Sequence, residues 1–470
     1  MSYIAAVDSL YALGHELAPP PSPGAAPAPR RKFDLAHMRT LAHALGDPHL
    51  SFPSILIAGT NGKGSTAATL SSILTASGAR TALYTSPHLV RVNERVQIDA
   101  SPISDHDFAR LYFRVDNCAR ALVSQGALPH HPSFFEVMTA LAFCFFAEQK
   151  IDIAVLEVGL GGRLDATNIV EPILSILTDI ALDHQEYLGP TLDSIAREKC
   201  GILRPHGTLI TLPQHPAVNQ VIGEVAATLP NLRALSAASL IPPTDHATPA
   251  DPHGNHYAVT LNHQPLQVDS PLTGHHQQRN LALAITAAEE LRNQNSHKSA
   301  GTSNPSGYNI TNTSIEAGIR NTKWPGRLEL IPGKPDLLLD VAHNPAGAWA
   351  LRAAIALLPE SRPRTLLFSC LRDKSLAEMA QILFPLFDPT DGTAPRSRDH
   401  ILFAPIANPR AAAVPDLLAA ARSLDIPAHA AASIPAALAE ARRLTPPEGI
   451  IIATGSVYLI GDLRHQVITE

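Results

Sequence analysis

The stretch Ser54-Ile55-Leu56-Ile57-Ala58-Gly59-Thr60-Asn61-Gly62-Lys63-Gly64-Ser65-Thr66 constrains the fold more than any other part of the chain. An apolar run reads as a buried strand and a glycine-rich turn follows it. Thr66 to Ser77 then carries Leu70, Ile73 and Leu74 at helical spacing, with Gly78 as a stop. A strand, a glycine turn and a helix N-terminus together form an anion cradle, because free backbone N–H groups and the positive end of the helix dipole converge on one point. Gly59, Gly62 and Gly64 let the backbone approach a phosphate, with Thr60 and Asn61 completing the turn. Lys63 can neutralise β/γ-phosphate charge and Ser65 can reach a magnesium ion. The full phosphate-loop pattern wants glycine five residues before Gly62, where this chain has Ile57, so the loop is a shortened variant. The competing view is an ordinary strand–turn–helix corner with a surface lysine. It leaves the agreement among the glycines, Lys-x-Ser and the flanking elements unexplained.

At 470 residues the chain is long for one core, and two domains are expected. Hydrophobic residues at 45% and charged residues at 17% describe a globular protein. The formal net charge of −6 supplies no global basic field, so nucleic acid is not expected as a partner and any polyanion contact must be local. The cysteines Cys118, Cys144, Cys200 and Cys370 lack metal-site spacing and read as free thiols of a reducing compartment. Neither a signal peptide nor an uncharged apolar run of about 18 residues is visible, so a cytoplasmic location without a membrane partner is expected.

Along the chain, residues 1–17 look helical, and Pro19 to Pro29 reads as a stiff extended loop. Asp34 is placed to cap a second helix that Gly46 closes. Strands are expected at Arg80–Thr85, Ile151–Val158 and Ile173–Thr178, with helices near Asp105–Gln125 and Phe134–Gln149 between them. Alternating strands and helices argue for a parallel, helix-covered sheet whose ligands sit at the strands' carboxyl ends. Residues 240–275 read as short strands and loop, Arg279–Leu291 as a helix, and Asn293–Ser314 as a mobile surface loop. The pattern restarts with strands at Leu328–Ile331, Leu337–Val341, Thr365–Ser369, His400–Ala404 and Ile450–Thr454, which places a domain boundary near 320–326.

Several polar residues stand where such a sheet gathers its chemistry. Glu157, at a strand end, suits magnesium, or is simply a solvated carboxylate. His184 follows Asp183 at the next strand end; alone it is more often structural, but it gains weight if it shares a crevice with Glu157. Ser86 is a turn serine before proline, or a hydroxyl facing that metal. Lys199 by itself reads as a solvated helix-end lysine. Asp340-Val341-Ala342-His343-Asn344-Pro345 is more specific, since a strand delivers Asp, His and Asn into a turn that opens a helix at Pro345. Arg327 is a candidate phosphate clamp, and Thr454-Gly455-Ser456 is either a small-ligand turn or a plain one.

Taken together, Gly59–Ser65, Ser86–Leu89, Ser133-Phe134-Phe135-Glu136, Glu157–Asn168, Asp183–Gly189, Arg197–Gly201, Pro325–Arg327, Asp340–Pro345 and Thr454–Ser456 resemble the folylpolyglutamate synthase/dihydrofolate synthase family, within the Mur-ligase-like ATP-dependent amide ligases. The stretches run in family order across almost the whole chain. The resemblance implies an α/β protein with a mainly parallel, P-loop-containing ATP-binding domain over 1–322, similar to the Mur-ligase central domain. A smaller Rossmann-like glutamate-ligase domain would follow over 327–470. It implies ATP as co-substrate, two Mg2+ ions, dihydropteroate or a reduced folate and L-glutamate as partners, and a monomer. Gly59 through Ser65 with Asn280, Arg327 and Asp340 would bind ATP. Ser86 and Glu157 would ligate one magnesium, and His184 a second together with Lys199 as its carbamate. His343 and Ser456 would face the γ-phosphate and the incoming glutamate, while Ser133, Phe135 and Asp165 match positions that hold a pterin. Lys63, His184, Lys199 and His343 would carry the catalysis.

The implied reaction converts a substrate carboxylate to an acyl phosphate, which the amine of L-glutamate then attacks. Whether one chain performs dihydrofolate synthesis, polyglutamylation or both is left open by the residues, and the pterin-site matches favour both. A Mur ligase acting on a UDP-sugar is the nearest rival; only 58 residues precede Gly59, too few for its UDP-binding domain. A nucleotide-binding switch would leave His184, Lys199 and Asp340–Pro345 without a role, and a simple P-loop kinase would not need a second domain.

Overall fold

The run Ser54–Ala58 is buried at every residue because it lies near the middle of a sheet covered on both faces. The computed structural model describes residues 2–14, 34–243, 254–299, 309–389 and 398–469. The first sheet contains β1 (Ser54–Ala58), β2 (Thr81–Tyr84), β3 (Val96–Ile98), β4 (Ser101–Pro102), β5 (Ile153–Glu157), β6 (Leu174–Leu177), β7 (Thr208–Thr211) and β8 (Arg233–Ser236). Their order is β4-β3-β2-β5-β1-β6-β7-β8. All pairings are parallel except those of β2 with β3 and β3 with β4. Alternate residues feed opposite faces: Leu56 and Ala58 join one apolar core, Ile55 and Ile57 the other.

Register positions the chemistry. Ile57 pairs with Glu157 on one side and Ile176 on the other, so the loop after β1, the end of β5 and the turn after β6 share one edge. Helix Lys63–Ala76 leaves that edge and packs against helices His275–Ser299 and Asn312–Arg320. Helix Phe134–Glu148 begins at Ser133, whose side chain and that of Glu136 close a capping box.

Two strands, β9 (Asn255–Leu261) and β10 (Gln264–Ser270), form an antiparallel hairpin where short strands are expected. The expected loop over 293–314 is corrected in part. Helix His275–Ser299 runs through 293–299, and the next helix starts at Asn312, capped by Thr311. Residues 300–308 and the Pro19–Pro29 stretch lie outside the described residues. A composition poor in apolar groups reads as loop, yet a helix already nucleated by its packed earlier turns extends through polar residues at little further cost.

The second sheet contains β11 (Glu329–Ile331), β12 (Asp336–Leu339), β13 (Arg364–Phe368), β14 (His400–Phe403), β15 (His429–Ala430) and β16 (Ile450–Thr454), in the order β11-β12-β16-β13-β14-β15. Only β11 runs antiparallel. Its two faces bury separate cores, with Leu366 and Phe368 on one and Leu367 on the other. Among the described residues no helix is long and apolar enough to cross a membrane.

Candidate active site

Gly62 sits at φ +88 and opens helix Lys63–Ala76 without any side-chain cap, so the first backbone N–H groups of the helix keep no intrahelical partner. The glycines are required by their neighbours. A Cβ on Gly59 would lie 1.8 Å from Thr178 Oγ1, one on Gly62 2.1 Å from Asn280 Oδ1, and one on Gly64 2.5 Å from the Trp324 ring. The turn is held from the β6 side: the Asp179 carbonyl accepts from the Thr60 and Asn61 N–H groups at 2.8 and 3.1 Å. Arg279 in turn grips the Asp179 carboxylate, Nε to Oδ2 at 2.8 Å. Asn280 is buried against the loop and donates to Gln277 Oε1 at 2.8 Å.

Lys63 Nζ donates to the Thr60 carbonyl at 3.3 Å and faces Glu157 Oε1 at 4.0 Å. Glu157 is buried, and desolvation raises its carboxyl pKa while Lys63 opposes the rise. The Ser86 N–H donates to Glu157 Oε2 at 3.2 Å, so Ser86 and Glu157 do meet. A buried carboxylate with one oxygen short of hydrogen-bond reach to a lysine fits a hard cation. Among the described residues no group of three or more His, Cys, Asp and Glu side chains is arranged to hold a metal ion. Any magnesium here would therefore need oxygens from outside the carboxylate and imidazole side chains to complete its shell.

Lys199 corrects the reading of a solvated lysine: it is 5% exposed, and its Nζ donates to the Gly59 carbonyl at 2.7 Å. Burial, assisted by Lys63, lowers its pKa to about 7. His184 adopts a left-handed backbone at φ +49, and burial lowers its pKa to about 3. Beside it Asp183 accepts from Lys374 Nζ at 2.7 Å and from Asn344 Nδ2 at 3.0 Å, with His343 Nε2 at 3.7 Å. Lys374, His184 and His343 hold the Asp183 carboxyl far below the usual carboxylate range against the opposing pull of burial. Lys374 and the role of Asp183 were missed from the sequence, since Arg372-Asp373-Lys374 looks like any charged turn.

From the second sheet, Asp340 directly follows β12 and accepts from the Leu328 and Ala342 N–H groups, both at 2.9 Å; burial raises its pKa. His343 shares its Nδ1 with the Val341 carbonyl at 2.9 Å, and burial lowers its pKa to about 4. Asn344 caps helix Pro345–Ile355 and bonds Asn61 in both directions, Nδ2 to Asn61 Oδ1 at 3.0 Å and Asn61 Nδ2 to its own Oδ1 at 3.3 Å. Ser456 is buried at the end of β16 and caps the last helix by accepting from the Tyr458 N–H at 3.2 Å. Arg327 stacks on Trp324 with Cζ 5.7 Å from the ring centroid. A small cleft between the sheets is lined by Asp183, His184, Asn344, Pro345, Asp373 and Lys374.

The remaining three residues lie on the β2–β5 side. The Phe135 ring covers Gly159, where a Cβ would come within 2.5 Å of Cζ, and tilts against Tyr84 at 6.0 Å. Ser133 donates to Glu136 Oε2 at 2.6 Å, so its hydroxyl serves the helix cap. Asp165 is buried and accepts from Leu160 N and Thr167 N at 2.9 and 3.0 Å, which shapes the turn after β5.

Residues 57–288 match the Mur ligase middle domain family. The chain is 34% identical over 444 residues to the folylpolyglutamate synthase of Lacticaseibacillus casei, spanning 93% of this chain and 94% of that relative. It is 32% identical over 441 residues to the dihydrofolate synthase/folylpolyglutamate synthase of Bacillus subtilis, spanning 93% and 95%. Among solved structures, a Mycobacterium tuberculosis folylpolyglutamate synthase complexed with ADP superposes with a TM-score of 0.82 at 29% identity, covering 99% of this chain and 98% of that one. Escherichia coli FolC in complex with DHPP and ADP gives 0.79 at 27% identity, covering 100% and 98%.

Proposed function

The chain belongs to the folylpolyglutamate synthase/dihydrofolate synthase family, and from that premise we propose how its own residues perform the reaction. It is an ATP-dependent, ADP-forming ligase that joins L-glutamate to the carboxylate of a pteroate or folate. One observation carries the assignment of the site: the phosphate-loop side chain Asn61 and the second-sheet helix cap Asn344 bond each other, so both walls of one cleft meet at the loop. We divide the labour between an ATP-binding domain over 1–322 and a glutamate-ligase domain over 327–470.

In this reading Gly59 through Ser65 cradle the ATP phosphates with open N–H groups, and Lys63 neutralises charge on the transferring phosphoryl. Asn280, Arg327 and Asp340 complete the nucleotide site. Ser86 and Glu157 would hold one magnesium, and His184 with a carbamylated Lys199 a second; bound there, the ions supply charge stabilisation on the phosphoryl oxygens. Lys199 suits carbamylation because burial leaves much of its amine neutral near pH 7, and only a neutral amine combines with carbon dioxide. The substrate carboxylate attacks the γ-phosphate, releasing ADP and forming the acyl phosphate. The amine of L-glutamate attacks the acyl carbon and phosphate leaves. His343, with Nδ1–H turned to the Val341 carbonyl, keeps Nε2 as the acceptor for the amine's proton. Ser456 is assigned to the glutamate side. Phe135 and Asp165, with Ser133 at the adjoining cap, are assigned to the pterin as stacking face and acceptors for its amino donors.

Both activities are proposed for the one chain acting as a monomer, since each wall of the cleft comes from the same polypeptide and the site needs no second copy. A cytoplasmic location fits four free cysteines, three of them buried. The test is ADP release and product formation with dihydropteroate and with tetrahydrofolate, separately, with and without L-glutamate. Glutamate-dependent turnover on both supports bifunctionality, and turnover on tetrahydrofolate alone removes the synthase half. ATP binding without glutamate-dependent ADP release would sink the ligase reading. Lys199→Ala should lose most activity and regain part of it with acetate; a fully active variant disproves the carbamate ligand.

A further inference from the structure

The segment that joins the two sheets, residues 321–328, is pinned at both ends and loose in polar terms at its centre. Thr322 Oγ1 donates to the Gly318 carbonyl at 3.0 Å, and the Gly326 N–H donates to Glu329 Oε2 at 2.8 Å. Between them Trp324 makes no such bond: its indole Nε1 is buried without a hydrogen-bond partner. The ring is held by contact alone. One side presses on Gly64, the residue after Lys63 in the phosphate loop, so closely that a Cβ there would lie 2.5 Å from Cζ2. The Arg327 guanidinium sits over the ring, 5.7 Å from its centroid.

Arg327 needs such a support. Among the described residues its side chain makes one hydrogen bond, Nη1 to the Gly326 carbonyl at 3.3 Å. It forms no ion pair, although Asp340 from the second sheet and Glu157 from the first both attract it through space. A guanidinium with most of its donors unspent has no hydrogen bond or ion pair that fixes its plane. The indole face is the group in contact that can do so.

We propose that Trp324 is a positioning residue of the nucleotide site: wedged between Gly64 and Arg327, it sets the Arg327 guanidinium toward the phosphates. It also links the state of the phosphate loop to the segment between the sheets. The inference rests on the reading of this cleft as the ATP site. It separates two roles that the contacts combine, packing against the loop and orientation of Arg327.

A double-mutant cycle distinguishes them. Calorimetric binding of a non-hydrolysable ATP analogue is measured for wild type, Trp324→Ala, Arg327→Ala and the double variant, with KM for ATP and kcat alongside. Trp324→Ala should weaken binding roughly fivefold to tenfold, the scale of a cation–π contact between the exposed and the desolvated limits. In the Arg327→Ala background most of that loss should vanish, leaving only what the packing on Gly64 contributes. Additive losses, or unchanged binding in Trp324→Ala, overturn the proposal. If Trp324→Ala does not fold, Trp324→Phe and Trp324→Leu decide. Phe keeps a ring and deletes an N–H that bonds nothing, so it should stay within about twofold of wild type, whereas Leu fills space without a π face and should behave like Ala. Equal behaviour of Phe and Leu overturns the proposal. The chain has two tryptophans, and the other, Trp349, is exposed, so Trp349→Phe leaves Trp324 as the sole reporter. Analogue binding should shift its emission, and a silent Trp324 counts against the link. A wild-type protein that binds no analogue would instead refute the nucleotide site itself.

Discussion

Two strand–turn–helix corners face each other across the cleft, and they handle the start of a helix in opposite ways. The first runs from β1 through Gly62 into helix Lys63–Ala76, with a left-handed glycine and no side-chain cap. The second runs from β12 through Asn344 into helix Pro345–Ile355. There Asn344 accepts from the Gly347 N–H at 2.8 Å, and Pro345 has no N–H to offer. The first corner leaves its backbone donors for an anion, while the second satisfies its own and presents side chains instead. A similar local architecture thus yields open backbone donors on one side and a set of polar side chains, Asp340, His343 and Asn344, on the other.

The most disruptive way to break this comparison is to cut the join between the corners. Asp183 and Lys374 are both buried and pair across it. Asp183→Ala leaves a buried ammonium unpaired and should cost about 3–5 kcal/mol of unfolding free energy in denaturant titrations. A loss below about 1 kcal/mol would mean the two sheets dock without that pair.

Next comes the grip itself. Lys63→Ala should lower turnover by roughly 10²–10³-fold, the scale of removing one donor to developing charge, with an unchanged thermal transition. Were His343→Ala to weaken ATP binding as much as Lys63→Ala, the division between grip and chemistry would not hold. Asn344→Ala removes the second corner's cap and its bonds to Asn61 and Asp183. About 0.5–2 kcal/mol of stability should be lost in denaturant titrations.

The smallest effect is a pH slope. His276 stands at the start of the helix that carries Asn280, and burial, aided by Arg327, lowers its pKa to about 4. An unfolded histidine titrates near 6.5, so the unfolded chain binds the proton first as pH falls. His276 therefore costs nothing above about pH 6.5 and destabilises progressively between there and about 4. His276→Gln should flatten that part of the stability profile; an unchanged slope would place His276 in contact with solvent.

Much of this was legible in the residues because it is local. The apolar run of β1, the glycines after it and the Asp340–Pro345 turn encode their own backbone within a few positions. The family resemblance of the motifs singled out Glu157, His184 and Lys199 as expected site residues. The helix over 293–299 was misread because polar composition hides a helix whose earlier turns are anchored. Lys374 was invisible for another reason: its partner Asp183 lies 191 residues away.

The sequence by itself therefore determined the phosphate loop, the class of sheet and the strand ends that carry chemistry, since hydrophobic period and glycine placement act over single elements. Tertiary structure alone decided that Lys199 is buried against the Gly59 carbonyl, 140 residues away, that Asn61 meets Asn344 across 283, and that Trp324 seals Gly64. Burial and desolvation are properties of the assembled fold, and no single segment carries them: the same lysine is a solvated cation in an isolated helix and an amine of much lowered pKa beneath the loop.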